Sequence, residues 1–462
     1  MNKTKRPRIA IAGLSGDSGK TIVSCGLLSA LKKRGIHAAP FKKGPDYIDP
    51  AWLSMASGHP ARNLDTFLMQ RDTVRRSFQS NSAPDSIAVI EGNRGLFDGF
   101  DSRGSHSTAE LAKLLGAPVI IAIAPKKVTR TVAAWVLGCK HLDPDINIAG
   151  VVLTGIAGAR HRKVITEAVE NDTGVPVIGA IPKVRNTDIL PSRHLGLITP
   201  VEFENSGESM NELRQLFEDN VDTDRLIEIA RSAPEMEAIS EPEIRKPDEK
   251  FNIGYFKDRS FSFYYPENLE ALERQGAQLV PINSISDTRL PEGLAGIYIG
   301  GGFPETNLDA LIANRPMMRQ VKRASDMGMP IYAECGGLIY LSKNLYYNGR
   351  NYEMAGIFPV DIEMNERPAG HGYSIMKIDA ENPYFEIGAE IKGHEFHYTR
   401  ATRLNGAETV MQTIRGSGAK NGRDGLTHKN TLATYLHLHA LSGSDWAKSF
   451  ARKAIEYAKK DN

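Results

Sequence analysis

Cys335 is followed by Gly336 and Gly337 at the end of the apolar run Pro330-Ile331-Tyr332-Ala333-Glu334. A thiol on a strand-to-helix turn can act as a nucleophile. The glycines permit a tight turn and leave backbone N–H groups free to meet an oxyanion. A helix start beneath the sulfur would favour the thiolate, the reactive form. A buried cysteine closing a core strand is the plainer reading of the same residues. A thiol nucleophile needs a base, and four histidines compete for that role. His394 and His397 lie in Gly393-His394-Glu395-Phe396-His397-Tyr398, and His437 and His439 in Tyr435-Leu436-His437-Leu438-His439. Spacing alone does not rank them. The loop Gly300-Gly301-Gly302-Phe303-Pro304-Glu305 has amides bare of side chains and could supply a second oxyanion donor.

A different chemistry is written near the start of the chain, in Gly13-Leu14-Ser15-Gly16-Asp17-Ser18-Gly19-Lys20-Thr21. Backbone N–H groups around Gly16 and Gly19 can cradle phosphate oxygens, Lys20 adds a point charge, and the Thr21 hydroxyl suits magnesium. The usual G-x4-G-K-[ST] spacing fails by one residue, because Leu14 stands where its first glycine would be. Pro40-Phe41-Lys42-Lys43-Gly44-Pro45-Asp46-Tyr47-Ile48-Asp49-Pro50 sets two lysines and two aspartates in one loop. The lysines suit phosphate or carboxylate, and an aspartate suits a second magnesium contact, with a solvated turn as the alternative. Glu91 ends the run SIAVIE and is followed by Asn93, Arg94 and Asp98. Acids at the carboxyl ends of parallel strands stand where open α/β sheets bind ligands, so Glu91 and Asp98 are candidates for metal binding or substrate activation. Loop capping is the alternative for both.

These residues need a scaffold of alternating strands and helices. Strand patterns occur at Arg8–Ala12, Ser86–Glu91, Val119–Ala124, Ile148–Leu153 and Val175–Ile181, with helical stretches between them. That alternation implies a parallel sheet covered on both faces. Pro182 to Pro200 reads as a loop-rich exit, where His194 suits a structural or substrate contact better than a metal, since no partner has metal spacing. From about Glu202 to Lys250 the chain is acidic, polar and punctuated by prolines, as a linker is, with one amphipathic helix at Thr223–Arg231. Alternation restarts with strands at Phe251–Phe256, Gln278–Ile282 and Gly296–Ile299 and a helix at Pro266–Gln275. Leu432–His439 reads as one strand that delivers His437 and His439 to one face. The division expected is 1–202, a linker at 203–250, and 251–450.

A chain of 462 residues exceeds one hydrophobic core. Lysine plus arginine number 57 against 55 acids, a balance that gives no whole-chain signal for nucleic acid or membrane. The three cysteines, Cys25, Cys139 and Cys335, are too scattered for a disulfide framework or a zinc site. Without a signal-peptide pattern or an apolar span, the chain reads as cytoplasmic. A homodimer is open to it.

The ordered motifs SGDSGKT, PFKKGPDYIDP, EGNRGLFDG, LPSRHLGL, FSFYYPENLE, YIGGGFPE, AECGG, GHEFHY and YLHLH resemble the cobyrinate a,c-diamide synthase family over almost the whole chain. The resemblance implies an α/β protein of two parts. The first is an N-terminal P-loop parallel-sheet domain similar to dethiobiotin synthetase, acting as an ATP-dependent amide synthetase. The second is a C-terminal class I (type-1) glutamine amidotransferase domain of flavodoxin-like fold. It further implies that Cys335 attacks L-glutamine to form a thioester, that His437 is the base, and that Gly302 and the Gly336 amide form the oxyanion hole. Many such domains carry a glutamate two residues after the base. Here His439 stands there, which implies a dyad or a different orienting residue. In the N-terminal part, Gly16, Gly19, Lys20, Thr21 and Lys42 would hold ATP, while Thr21 binds Mg2+, Asp46 and Glu91 bind Mg2+ or position the substrate, and Asp98 positions or activates the carboxylate. The acceptor would be a tetrapyrrole carboxylic acid amidated at its a and c acetates.

The chain departs from the family pattern where relatives often have aspartate and it has Ala124-Pro125. It also reads EGNRGLFDG where cobyrinate enzymes usually read EGVMGLFDG, and Lys43 stands where an apolar residue is common. Asn93, Arg94 and Lys43 add polarity near the expected substrate, which leans the reading towards a sirohaem or sirohydrochlorin-type macrocycle. The alternative is cobyrinic acid, in cobalamin biosynthesis. Two rival classes are a P-loop regulatory ATPase with an inactive glutaminase domain and a non-catalytic tetrapyrrole carrier. Cys335 with His437 speaks against the first, and Lys20-Thr21 with Glu91 against the second.

Overall fold

Runs such as Arg8–Gly13, in which every residue is buried, need cover on both faces, and the N-terminal sheet provides it. The computed structural model describes residues 3–183, 189–193, 196–239 and 249–460, so His194 lies outside the described residues. The chain divides into two compact units, Met1–Pro242 and Glu243–Asn462.

In the first unit, β1 (Arg8–Gly13), β2 (Ala38–Lys43), β3 (Arg62–Leu64), β4 (Ile87–Glu91), β5 (Val119–Ile123), β6 (Ile148–Ile156) and β7 (Val177–Pro182) form a seven-stranded parallel sheet in the order β3-β2-β4-β1-β5-β6-β7. Helix α1 (Lys20–Lys33) leaves the loop after β1, and Gly19 just before it has φ 85°, a left-handed conformation that glycine adopts without strain. Helix α2 (Ile48–Ser57) follows β2. Parallel register sets Lys42 beside Glu91 on neighbouring strands.

The stretch expected as a linker is largely part of this unit. Helices α3 (Ser206–Asn220) and α4 (Thr223–Arg231) pack on it, with Leu213, Phe217 and Leu226 almost wholly buried. Proline punctuation marks only the far end, whereas the apolar spacing of Met210, Leu213 and Phe217 is that of a core-facing helix. A methyl group on Gly26 of α1 would come within 2.5 Å of the Phe217 ring, so α1 and α3 touch through a glycine. Buried Arg8 donates to the Pro234 carbonyl at 2.8 Å, holding the chain after α4 against β1.

In the second unit the strands are β8 (Phe251–Phe256), β9 (Ala277–Ile282), β10 (Leu294–Ile299), β11 (Ile331–Glu334), β12 (Gly370–Ile378), β13 (Glu390–His397), β14 (Glu408–Arg415), β15 (Arg423–His428), β16 (Thr431–Thr434) and β17 (His437–Leu438). They form one ten-stranded sheet ordered β9-β8-β10-β11-β16-β15-β14-β12-β13-β17. The β9-β8-β10-β11-β16 half is parallel and the remainder antiparallel. Helices α5 (Pro266–Arg274) and α6 (Gly336–Leu341) follow β8 and β11. The strand expected over Leu432–His439 is two strands at different places in the sheet. Buried Asp424 accepts the Tyr435 amide and Thr434 Oγ1 accepts the Leu436 amide, which removes both from the ladder.

Candidate active site

The glutaminase candidates gather at the carboxyl ends of β10 and β11. Register pairs Ile299 with Ala333, so the glycine loop and Cys335 leave the sheet side by side. Cys335 has φ 48° and ψ −98°, a strained conformation for a residue with a side chain, of the kind concentrated at functional turns. Its amide donates to Thr434 O at 2.7 Å. A methyl group on Gly336 would come within 3.1 Å of Gly302 N and of Pro304, so elbow and glycine loop are in contact. The far edge of the sheet returns over them, with the Phe396 carbonyl 3.9 Å from Cys335 Sγ.

The expected preference for thiolate is reversed. Burial pushes the Cys335 thiol up, Glu305 adds to this, and the Gly336 amide only partly offsets them. Burial therefore favours the neutral thiol, which would need a base in order to act as a nucleophile.

Geometry ranks the four histidines. Nδ1 of His397 lies 2.6 Å from Thr399 O and its ring stacks on Tyr435 at 3.9 Å, which commits it to the fold. His439 Nδ1 accepts the Leu441 amide, Nε2 faces Glu267 at 3.7 Å, and the ring lies against Tyr265. Burial holds His394 neutral, aided by His437 and His439, and it stacks on His437 with centroids 4.8 Å apart. His437 alone abuts the glycine loop: a methyl group on Gly301 would fall 2.4 Å from its Cε1. Its Nδ1 lies 3.7 Å from the Glu334 carboxylate, which sequence reasoning passed over. The signal was available, since Glu334 ends a buried strand just as Glu91 does.

The second constellation sits where β1, β2 and β4 end. Lys20 Nζ is held by the Ser15 carbonyl at 2.9 Å, inside the loop. Thr154 on β6 supports that loop by donating to Ser18 O at 2.9 Å, a role that no sequence pattern signals. Thr21 Oγ1 donates to Glu91 Oε1 at 3.0 Å, joining two expected residues from distant parts of the chain. Lys42, expected at phosphate or carboxylate, is buried among acids: Nζ lies 2.7 Å from Glu91 and 3.7 Å from Asp46 and is hydrogen-bonded to Asp49. Burial disfavours that ammonium, but the three carboxylates outweigh it and hold it charged. Asp49 was not singled out from sequence, yet it stays below the usual carboxylate range because Lys42 outweighs its burial. Burial and the Asp49 charge push Asp46 up to about 7.

These residues fit magnesium in part. Glu91 Oε2 is buried with no hydrogen-bond partner, beside the Thr21 hydroxyl, and hard oxygens of this kind suit magnesium shared with nucleotide phosphates. Asp46 is more committed, because its Oδ1 accepts the Ile48 and Asp49 amides at the start of α2. Among the described residues no group of three acidic, histidine or cysteine side chains forms a self-sufficient metal cluster. Asp98 stands apart: it is exposed and accepts the Gly95 amide at 2.8 Å, the loop-capping geometry. Lys43 is buried 3.6 Å from Asp65, so its charge is paired internally. Among the described residues no helix is long and apolar enough to cross a membrane.

Residues 9–198 match the family described as the CobQ/CobB/MinD/ParA nucleotide binding domain, and residues 252–445 match the CobB/CobQ-like glutamine amidotransferase domain. A cobyrinate a,c-diamide synthase of Magnetococcus marinus is 40% identical, over 96% of this chain and 97% of that protein. One from Archaeoglobus fulgidus is 38% identical, over 97% and 98%. One from Dehalococcoides mccartyi is 40% identical, over 98% and 99%. With a nucleotide-binding domain ahead of a glutamine amidotransferase domain, and likeness of this extent, the chain is a glutamine-dependent, amide-forming ligase and belongs to the cobyrinate a,c-diamide synthase family.

Proposed function

We propose that this protein amidates the a and c acetates of a reduced tetrapyrrole, with L-glutamine as nitrogen donor and ATP as activator. The observation that carries the reading is likeness to cobyrinate a,c-diamide synthases along both units, with the reactive side chains of each unit gathered together. A carboxylate oxygen is a poor leaving group. Attack of the acetate oxygen on the γ-phosphorus of ATP expels ADP and makes an acyl phosphate. Ammonia then adds to the acyl carbon, phosphate leaves, and the amide remains. In such a transfer the protein mainly positions groups and neutralises charge. Gly16, Gly19 and Lys20 hold the phosphates, and Lys42 keeps the neighbouring acids in place. Thr21 and Glu91, with Asp46 beside them, would hold a magnesium ion, which supplies charge neutralisation to the phosphates. Asp98 fixes the Gly95 turn of the loop that carries Asn93 and Arg94.

Ammonia comes from the second unit. The Cys335 proton passes to His437, and the thiolate attacks the glutamine amide carbon. The oxyanion meets the amides of Gly302 and Gly336, and the proton returns to the departing ammonia. Water then cleaves the thioester to glutamate.

Cobyrinate is the acceptor named for the relatives and is the one we favour. Two observations weaken the sirohaem lean: Lys43 faces Asp65, and the Asn93 side chain packs over Gly44. Exposed Arg94, at φ 50°, still favours sirohaem as a second reading. The test supplies glutamine, ATP and magnesium with cobyrinic acid, sirohaem or nickel-sirohydrochlorin in separate reactions and weighs the products. Diamide from cobyrinic acid supports the first reading, and diamide from sirohaem alone moves the assignment to the second. Failure on all three, with ATP bound, would refute tetrapyrrole amidation.

A further inference from the structure

We infer that Glu334, the residue before the nucleophile, is the positioning residue of His437 and completes the glutaminase site that His439 leaves without its usual carboxylate. The inference rests on the glutaminase half of the function proposed above.

Glu334 is wholly buried at the end of β11. A buried carboxylate persists only where donors or a cation compensate its lost hydration. Its Oε1 accepts the Leu438 amide at 3.1 Å, fixing the backbone immediately after the base. Its Oε2 accepts the Tyr298 hydroxyl at 3.2 Å and lies 3.7 Å from His437 Nδ1. The Tyr298 and Tyr332 phenols beside it are held protonated, first by burial and then by its charge, so they can only donate to it. One carboxylate thus grips the main chain of the base and faces its ring.

Three other buried acids of this unit, Glu395, Asp424 and Glu267, are engaged elsewhere. Glu395 accepts the Ser374 hydroxyl and the Ser417 and Gly418 amides. Asp424 accepts the Thr434 hydroxyl and the Tyr435 amide. Glu267 faces His439, whose Nδ1 is taken up by the Leu441 amide. Both ring nitrogens of His439 thus face groups other than His437.

A carboxylate facing Nδ1 keeps the imidazole proton there, which leaves Nε2 as the base. When the neutral Cys335 thiol gives its proton to Nε2, the ring becomes a cation, and Glu334 stabilises it. The separation exceeds a hydrogen bond, and it shortens once the ring is charged, as catalytic contacts commonly do on reaction. Glu334 from β11 and His394 from β13 both face His437.

The test compares full-length wild type, Glu334→Gln and Glu334→Asp. Glutamate release reads the glutaminase whatever the acceptor, and amidation with ammonium salt in place of glutamine reads the synthetase half. Glu334→Gln retains an oxygen for the Leu438 amide. It is expected to lower kcat for glutamate release by about 10²- to 10⁴-fold, as loss of a histidine-orienting carboxylate does elsewhere. KM for glutamine should change little, the acid limb of kcat/KM should move to lower pH, and ammonia-dependent amidation should persist. Glu334→Asp should recover part of the rate. A Glu334→Gln protein with wild-type kcat and pH profile would overturn the inference, as would parallel loss of ammonia-dependent activity, which marks a purely structural role. A wild type that releases glutamate but amidates no tetrapyrrole would sink the proposed acceptor and leave the Glu334 comparison fully readable.

Discussion

At the scale of single residues, burial decides the chemistry more than helix position does. Glycines after Cys335 were legible as an elbow, and its positive φ agrees, but a string of letters carries no desolvation. The thiol is pushed above its ordinary value of about 9 by burial, so the free enzyme should resist alkylation at neutral pH. Iodoacetamide labelling of Cys335, followed by peptide mapping, should still be accelerating at that pH; a plateau near pH 7 would show a resting thiolate instead. His394 gives a prediction of opposite kind. Its folded pKa lies well below the ordinary 6.5, because burial and the neighbouring histidines disfavour charge. Below about pH 6.5 the unfolded chain takes up a proton that the folded ring refuses, so stability falls as pH falls. Wild type should lose up to about 1.4 kcal/mol per pH unit more than His394→Phe in that window. Phenylalanine preserves the stack on His437 and cannot titrate. Equal slopes in denaturant titrations of the two proteins would refute the assignment.

At the scale of elements, the structure shows which sequence signals were sufficient. The strand-loop-helix around Lys20 and the strand-turn-helix around Cys335 were both readable, because each couples a buried apolar run to glycine at a position where the backbone must turn. Glycine spacing also marked Gly300-Gly301-Gly302, where a methyl group on Gly302 would fall 2.1 Å from the Ser260 carbonyl at φ 152°. Gly302→Ala should therefore displace the loop and lower glutamine-dependent kcat by about 10²- to 10³-fold, the usual cost of losing one oxyanion donor. Ammonia-dependent amidation should be spared, and an unchanged glutaminase rate would exclude this loop from the reaction. Period-two alternation failed at Leu432–His439, because the hydroxyl of Thr434 and the distant Asp424 intercept the backbone. The helix at Thr223–Arg231 was legible, but composition failed at Ser206–Asn220, where polar residues on the outer face of α3 disguised a helix that packs on the first unit. Phe217→Ala should lower the stability of the first unit by about 3–5 kcal/mol, since its ring is fully buried against Gly26. A shift within error would mean that the helix is dispensable and the linker reading was right.

For the whole molecule, the proposed glutaminase and synthetase reactions rest on different side chains of one chain, so single substitutions should separate them. On the proposed mechanism Cys335→Ser removes thioester formation and leaves the phosphate loop intact. With glutamine it should yield no amide, and with ammonium salt it should amidate at the wild-type ammonia-dependent rate. Lys20→Ala should do the reverse: its ammonium is held inside the loop after β1, where the proposed mechanism places the charge of a nucleotide. That variant should release glutamate from glutamine and amidate with neither nitrogen source. The candidate residues stand out in the sequence because each chemistry needs rare residue types in fixed order, a lone cysteine before paired glycines and a lysine-threonine pair after a glycine loop. Glu334, Asp49 and Thr154 were not singled out, since each acts through a partner more than sixty positions away or through a buried charge balance that local order does not record. The complementary pattern is a stringent check on the assignment as a ligase. A P-loop ATPase carrying an idle glutaminase would show no glutamate release to lose in Cys335→Ser. If both variants instead lost both nitrogen routes, the units would not be chemically separable, and the division of labour between Cys335 and Lys20 would have to be abandoned.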